Sequence, residues 1–274
     1  MKNLLNLAVK AAIESSKEVL KLYADGFSVT LKEDNSPVTT ADLKAQEIIF
    51  KYLSETNIPI LSEEGEKEIH TQLSKWSQYW CVDPIDGTKE FVNKTDEYCI
   101  SIGLITPDTS MLGVLAAPSL GSFYFAADGV GSYKWKGRYE DLYLLLEKDL
   151  IIDELLNNSV CLKPSPYLKQ NPYIFLTSRS HFSNVDEEYY HELKNQFADI
   201  KMIQMGSAVK IAWVAEGKAQ EYARLSPVNF WDIAGGHAIA KYAGLEIVDY
   251  NSKDSVNYKN TENLKISGYI LKNK

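Results

Sequence analysis

Residues 79–91, YWCVDPIDGTKEF, set two aspartates three positions apart, Asp83 and Asp86, and follow them at once with Gly87 and Thr88. Pro84 removes a backbone donor and disfavours helical geometry at Asp83, so the segment reads as a strand end entering a tight loop. In such a loop both carboxylates can point to one side with the Ile85 carbonyl between them. Three converging oxygens suit Mg²⁺, a hard ion that takes oxygen ligands in octahedral geometry. Without a cation, like charges this close repel and one tends to take up a proton. Gly87 lets the backbone bend close to a phosphate oxygen, and Thr88 adds a hydroxyl at a helix start, a natural anion site. The competing reading is a plain turn, because Asp, Pro and Gly are the commonest turn residues.

Other acids stand at comparable places. LSEEG puts Glu63 and Glu64 at the end of the preceding strand, and NFWDIAGGHAIA puts Asp232 at the start of an apolar helix. TTADLKAQEIIFKYL predicts a helix beginning after Val38, with Thr39 or Thr40 as N-cap and Asp42 in the first turn. Taken singly, Glu63 and Glu64 read as solvated loop acids, and Asp42 and Asp232 as first-turn acids favoured by the helix dipole.

The elements that must position these groups follow from periodicity. MKNLLNLAVKAAIESSKEVLKLY carries Leu5, Ala8, Ala12, Ile13 and Leu20 near helical spacing, interrupted by Lys10, Glu14, Lys17 and Glu18. It predicts an amphipathic opening helix rather than a signal peptide. IPIL and YWCV read as short buried strands. From Tyr98 to Trp135 apolar, aromatic-rich runs alternate with turns such as TPDTS and ADGVG, predicting an antiparallel meander. Residues 137–172 are charged and Leu-rich. They predict a linker with an added surface helix around 142–157, or alternatively a segment that borders the pocket. Beyond them, YIFL, a helix near 185–197, KMIQM, the helix SAVKIAWVAEG, AQEYA, a helix over 231–243 and LEIVDY alternate as in an α/β layer.

Composition narrows the function classes. With 29 Lys plus Arg against 37 Asp plus Glu, the net charge of −8 argues against a broad nucleic-acid surface but leaves room for a local basic pocket. The three cysteines, Cys81, Cys99 and Cys161, form no CxxC pair and predict neither a disulfide framework nor a zinc site. They fit a reducing cytoplasm. No run is long enough to span a bilayer, and peripheral attachment at the inner membrane is left open. No GxGxxG follows a first strand, which argues against a dinucleotide-binding oxidoreductase. His70 and His191 carry no signal, and His237 reads as a packed helix residue.

SEE, DPIDGT and WDIAGG, in that order, resemble the magnesium-dependent, lithium-sensitive phosphatases of the inositol monophosphatase superfamily. KEDNSPVTTAD, YWCVDPIDGTKEF, SRSH and GSAVKIAWVAEGKAQEYARLSPVNFWDIAGGHAIA extend the resemblance over about residues 32–250, towards the CysQ-type 3'(2'),5'-bisphosphate nucleotidases. The resemblance implies a mixed α+β and α/β fold, a layered αβαβα sandwich of the inositol monophosphatase/fructose-1,6-bisphosphatase type. Its N-terminal half would span residues 1–140 and its C-terminal half 141–274, with the metal site between them.

It implies two or three Mg²⁺ ions. Glu63, Asp83 and the Ile85 carbonyl would hold one, and Asp83, Asp86 and Asp232 a second; of the adjacent glutamates it selects Glu63 over Glu64 and counts it among the catalytic residues. Thr88, assisted by Asp42, would position or deprotonate the attacking water. The Gly87 and Thr88 backbone would hold the scissile phosphate, with Asp232 also touching substrate. His181, Ser207, Lys210 and Arg224 would line a nucleotide site, Lys210 and Arg224 pairing with the retained phosphate and His181 stacking on adenine. The implied reaction is hydrolysis of the 3'-phosphate of 3'-phosphoadenosine 5'-phosphate. A phosphatase for inositol monophosphate or a sugar bisphosphate shares the same acids, and a non-catalytic partner-binding protein on this fold is the remote alternative. The sequence leaves the oligomeric state open.

Overall fold

The computed structural model of the chain describes residues 1–66, 72–164, 168 and 172–273. The opening helix forms as α1 (Lys2–Asp25), burying Leu5, Ala8, Val9, Ala12, Ile13 and Val19 along one face. A short antiparallel hairpin, β1 (Val29–Leu31) and β2 (Pro37–Thr39), leads into α2 (Thr40–Leu53). Thr39 caps α2: its hydroxyl accepts from the Ala41 N–H at 3.1 Å, and the Asp42 carboxylate accepts the Thr39 N–H at 2.8 Å, a capping box that fixes Asp42.

β3 (Ile60–Ser62) runs parallel to β4 (Tyr79–Asp86), which is followed by α3 (Thr88–Val92). The predicted meander appears as β5 (Cys99–Ile105), β6 (Ser110–Ala117), β7 (Ser122–Ala127) and β8 (Gly131–Trp135). After α4 (Asp141–Leu145) and α5 (Ile152–Asn157), β9 (Ser159–Cys161) completes a seven-stranded sheet in the order β3-β4-β5-β6-β7-β8-β9.

The second half runs β10 (Tyr173–Ser178), α6 (Asn184–Gln196), β11 (Ile200–Met205), α7 (Val209–Ala215), β12 (Glu221–Arg224), β13 (Val228–Asn229), α8 (Trp231–Tyr242), β14 (Ile247–Asp249), β15 (Lys265–Ile266) and β16 (Tyr269–Lys272). Its five-stranded sheet has the order β11-β10-β12-β16-β14, and β13 pairs with β15.

Strand alternation assigns the layers. On one face of the large sheet, Trp80, Val82, Ile100, Ile102 and Val114 pack with Leu5, Ala12 and Ile49 of α1 and α2. On the other, Tyr79, Cys81, Cys99, Leu115 and Tyr124 share a core with Val209, Ile211, Ile233 and Ala238 of α7 and α8 and with Leu176, Tyr222 and Leu271 of the second sheet. Phe175, Ala223 and Leu225 on the far face of that sheet meet Leu193 of α6. The result is the αβαβα sandwich. Among the described residues no helix is long and apolar enough to cross a membrane.

Three local expectations change. The helix expected over 142–157 is two short helices, because Asn6 of α1 captures the backbone between them: its amide donates to the Asp149 carbonyl at 2.8 Å and accepts the Ile151 N–H at 2.9 Å. The two helices thus lie against α1, and none of the described residues of 137–172 lines the pocket; residues 165–167 and 169–171 of that stretch, like His70, lie outside the described residues. The large sheet reaches Cys161, past the division expected at 140. Finally, β4 does not stop before the aspartates. It pairs Asp83 with Ser101, skips Pro84 and Ile85 as a bulge, and pairs again at Asp86 with Cys99. A bulge tolerates proline and re-aims side chains, which a loop would do less rigidly.

α8 lies directly on the large sheet. A Cβ at Gly113 would sit 2.0 Å from the Gly235 carbonyl oxygen, so both glycines are required by backbone contact. Ser110 strengthens that contact by donating to the Ala234 carbonyl at 2.9 Å. This seating brings Asp232 to the strand that carries Asp83. Gly113→Ala should therefore destabilise the protein by about 3 kcal/mol, the upper range for overpacking a filled core, read as a lowered Tm. Unchanged melting would contradict the direct helix-on-sheet contact.

Candidate active site

β4, the segment after β3 and the first turn of α8 bring three carboxylates together. Oxygens of Glu63, Asp83 and Asp232 all lie within 4.8 Å of one another. Each of the two aspartates is oriented by one backbone donor: the Ile85 N–H reaches Asp83 Oδ1 at 3.1 Å and the Asn229 N–H reaches Asp232 Oδ2 at 3.0 Å. Asp86 adds a fourth acid beside them, its Oδ2 accepting the Ala208 N–H at 2.5 Å.

Burial and mutual repulsion dominate the electrostatics. Burial, then Glu63, Asp86 and Asp232, push the Asp83 carboxyl well above its usual range. Burial, then Asp86 and Glu63, raise Asp232 to about 8. Burial raises Asp86 to about 6 against the opposing pull of Lys210, and Glu64, also buried, goes to about 7.

Thr88 and Asp42 form a pair beside this cluster. The Thr88 hydroxyl lies 3.1 Å from the Ile85 carbonyl and 3.4 Å from Asp42 Oδ1. The other Asp42 oxygen is held by the Thr39 N–H and hydroxyl, and burial lifts Asp42 to about 6. Gly87 turns the chain between Asp86 and Thr88 at φ +96°, where its missing Cβ also avoids the Glu97 carbonyl at 2.9 Å.

A cavity of about 460 Å³ opens over the acids. Its lining takes in Glu63, Asp83, Ile85, Asp86 and Asp232 together with Gly87, Thr88, His181, Ser207, Lys210 and Arg224. Asp42 is the one site residue predicted from sequence that stands behind the wall, touching Thr88. Lys210, expected to pair with the retained phosphate, is already partly engaged within the protein. It is buried, and its ammonium already donates to the carbonyls of Met205 at 2.9 Å and Ser207 at 2.6 Å, leaving one donor of three. Arg224 is less committed, with a buried Nε that has no hydrogen-bond partner among the described residues. Partial burial, then the nearby Arg224 and Lys89 cations, hold His181 below its usual value.

The donor set consists entirely of hard oxygens from four carboxylates and one carbonyl, and Lys32 at Glu63 and Lys210 near Asp86 compensate only part of their charge. Such a set fits a divalent cation. The profile of the Inositol monophosphatase family matches residues 1–271. This chain belongs to the inositol monophosphatase family. It is 33% identical over 255 residues to a 3'(2'),5'-bisphosphate nucleotidase CysQ of Shigella flexneri, covering 91% of this chain and 92% of that protein. Its structure is similar to the crystal structure of CysQ from Bacteroides thetaiotaomicron, with a TM-score of 0.87 and 34% identity over 99% of this chain and 97% of the other. The inositol monophosphatase of Thermotoga maritima shares the fold at a TM-score of 0.73 and 22% identity, over 98% of this chain and 91% of that one.

Within this family site, one group went unread in the sequence. Lys32, just past β1, places its ammonium 2.9 Å from Glu63 and 2.6 Å from Glu64. Nothing in KEDN signals this pairing, which depends on the β1–β2 hairpin folding over the acids. Lys89, Tyr222, Lys265 and Tyr269 also line the cavity without having been singled out.

The raised carboxyl values have a sign. An acid whose folded value exceeds its unfolded one favours the folded state at low pH, and that contribution is lost as pH rises from the unfolded value through the folded one. Between about pH 4 and the Asp232 value of about 8, the metal-free protein should therefore lose stability. Melting in a chelator should show Tm falling by several degrees across that window, and Mg²⁺ should restore far more at pH 8 than at pH 5. A flat metal-free profile would contradict the mutual repulsion within the cluster.

Proposed function

We propose that the chain is a Mg²⁺-dependent 3'(2'),5'-bisphosphate nucleotidase that hydrolyses the 3'-phosphate of 3'-phosphoadenosine 5'-phosphate to AMP and phosphate. The observation that carries this reading is one cavity holding both the oxygen-only acid cluster and the cations Arg224 and Lys210. Its similarity across nearly its whole length to CysQ nucleotidases supports the nucleotide as substrate.

Glu63, Asp83, the Ile85 carbonyl, Asp86 and Asp232 would hold two or three Mg²⁺ ions. Bound there, they supply charge neutralisation of the phosphate and lower the pKa of water. The protein's own groups do the positioning. Thr88 Oγ1 holds the attacking water on line with phosphorus, Asp42 Oδ1 behind it receives the proton passed through the hydroxyl, and as the bond from phosphorus to the 3'-oxygen breaks that oxygen takes a proton from solvent water. Gly87 and Thr88 N–H groups hold the scissile phosphate, with Asp232 alongside. Arg224, with its uncommitted Nε, takes the retained phosphate as a bidentate partner, and Lys210 adds its remaining donor. The His181 ring stacks on adenine, and Ser207 lines the same end. The three free cysteines suit a reducing compartment, and the cytoplasm is the proposed location.

Phosphate release from 3'-phosphoadenosine 5'-phosphate, inositol monophosphate and a sugar bisphosphate, with Mg²⁺ and again with added Li⁺, tests this. The bisphosphate nucleotide should be preferred at least tenfold in kcat/KM, and Li⁺ should inhibit. Preference for either other substrate would overturn the nucleotide assignment, and no Mg²⁺-dependent turnover at all would favour a binding protein. Asp86→Asn should cost more than the roughly 10–100-fold typical of outer-shell changes, while Tm in the chelator rises or holds. A fully active Asp86→Asn enzyme would refute the metal assignment.

A further inference from the structure

Two carboxylates outside the acid cluster reach across from the first half to the second. Glu90 on α3 is buried and accepts the Ser180 hydroxyl at 2.5 Å. Glu97, just before β5, accepts both Nε and Nη2 of Arg179, at 2.9 and 2.6 Å, and its Oε2 also takes the Gly206 N–H at 2.8 Å. Arg179 in turn donates from Nη2 to the Gln204 carbonyl at 2.9 Å and from its backbone N–H to the Met205 carbonyl at 3.2 Å. Gly206 is pressed onto the same two acids: a Cβ there would lie 2.6 Å from Glu90 Cγ and from the Glu97 carbonyl.

The turn held in this way is the one that completes the site. Ser207 sits in the left-handed region at φ +56°, a conformation that a non-glycine residue keeps only when its surroundings over-determine it. The next N–H, of Ala208, fixes Asp86 Oδ2, which leaves Oδ1 as that acid's free ligand atom. The carbonyls of Met205 and Ser207 are the two that anchor the Lys210 ammonium.

Accordingly, we propose that Glu97 and Arg179 are positioning residues, a clasp that holds the 204–208 turn against Asp86 and thereby couples cation binding to the nucleotide end of the cavity. This rests on the functional reading above. The pair is part-exposed, 17% for Glu97 and 47% for Arg179, and even with its bidentate geometry such a pair contributes on the order of 1 kcal/mol to global stability. A merely structural role therefore predicts small, parallel effects, whereas a positioning role predicts effects concentrated in binding.

The test compares Glu97→Ala, Arg179→Met, Arg179→Lys and the double variant Glu97→Ala/Arg179→Met. The readouts are calorimetric Mg²⁺ titration of metal-free protein, KM and kcat for 3'-phosphoadenosine 5'-phosphate, and Tm. Each single removal should weaken Mg²⁺ binding and raise KM roughly tenfold, the scale of outer-shell changes, with kcat at saturation changed far less. The double variant should be no worse than the poorer single one, and Arg179→Lys should recover part of the loss. Wild-type Mg²⁺ affinity and KM in both single variants would overturn the clasp, as would losses that simply track Tm. If Glu97→Ala fails to fold, the half-exposed Arg179 variants still decide the matter. Should the wild type prefer another phosphate monoester, the nucleotide reading falls; the Mg²⁺ titration and the same comparison on that substrate then decide the clasp independently.

Discussion

Four carboxylates that repel one another on the floor of one cavity are the constraint on which this structure turns. Asp83 is buried, and Glu63, Asp86 and Asp232 are part-buried around it. Left ionised, such a cluster costs several kcal/mol per uncompensated charge. The fold tolerates it because rigid elements hold each acid: a bulged strand, the first turn of a helix seated on the sheet, and the segment following β3. Lys32 offsets part of the charge at Glu63 and Glu64. A divalent cation would offset the rest, which makes metal affinity and local strain two sides of one arrangement.

The same constraint explains why the two halves share a core. The acids come from both, so a loose interface would disperse them. α8 is packed against the large sheet at backbone contact and also shares its core with the second sheet. Asp232 therefore cannot drift from Asp83 without breaking that backbone contact. On the open side of the cavity, where no core can do this, hydrogen bonds between Glu97, Arg179 and Gly206 span the gap.

Much of this was legible in the residues. Helical spacing in α1, the Thr39 and Asp42 pairing at the start of α2 and the turn-punctuated meander are local patterns, and local physics decides them. DPIDGT and WDIAGG carried the site through their resemblance to a known family; taken singly they read equally as a turn and a first-turn acid. What stayed hidden depends on contacts distant in sequence. Asn6 breaks the helix expected over 142–157 from more than a hundred residues away. The bulge at Pro84 exists only because β5 pairs on both sides of it. The spacing of Lys210 cannot reveal that the Met205 and Ser207 carbonyls curl back to meet its ammonium. Lys32 was missed for the same reason.

The central claim is that these acids converge to cage divalent cations. The most direct measurement is the anomalous difference map from crystals grown with Mn²⁺, a scattering substitute for Mg²⁺. The account predicts strong peaks bounded by Glu63, Asp83 and Asp232, with Asp86 and the Ile85 carbonyl in the same coordination group. A well-ordered site with no peak there, its acids compensated by protons and Lys32 alone, would contradict it.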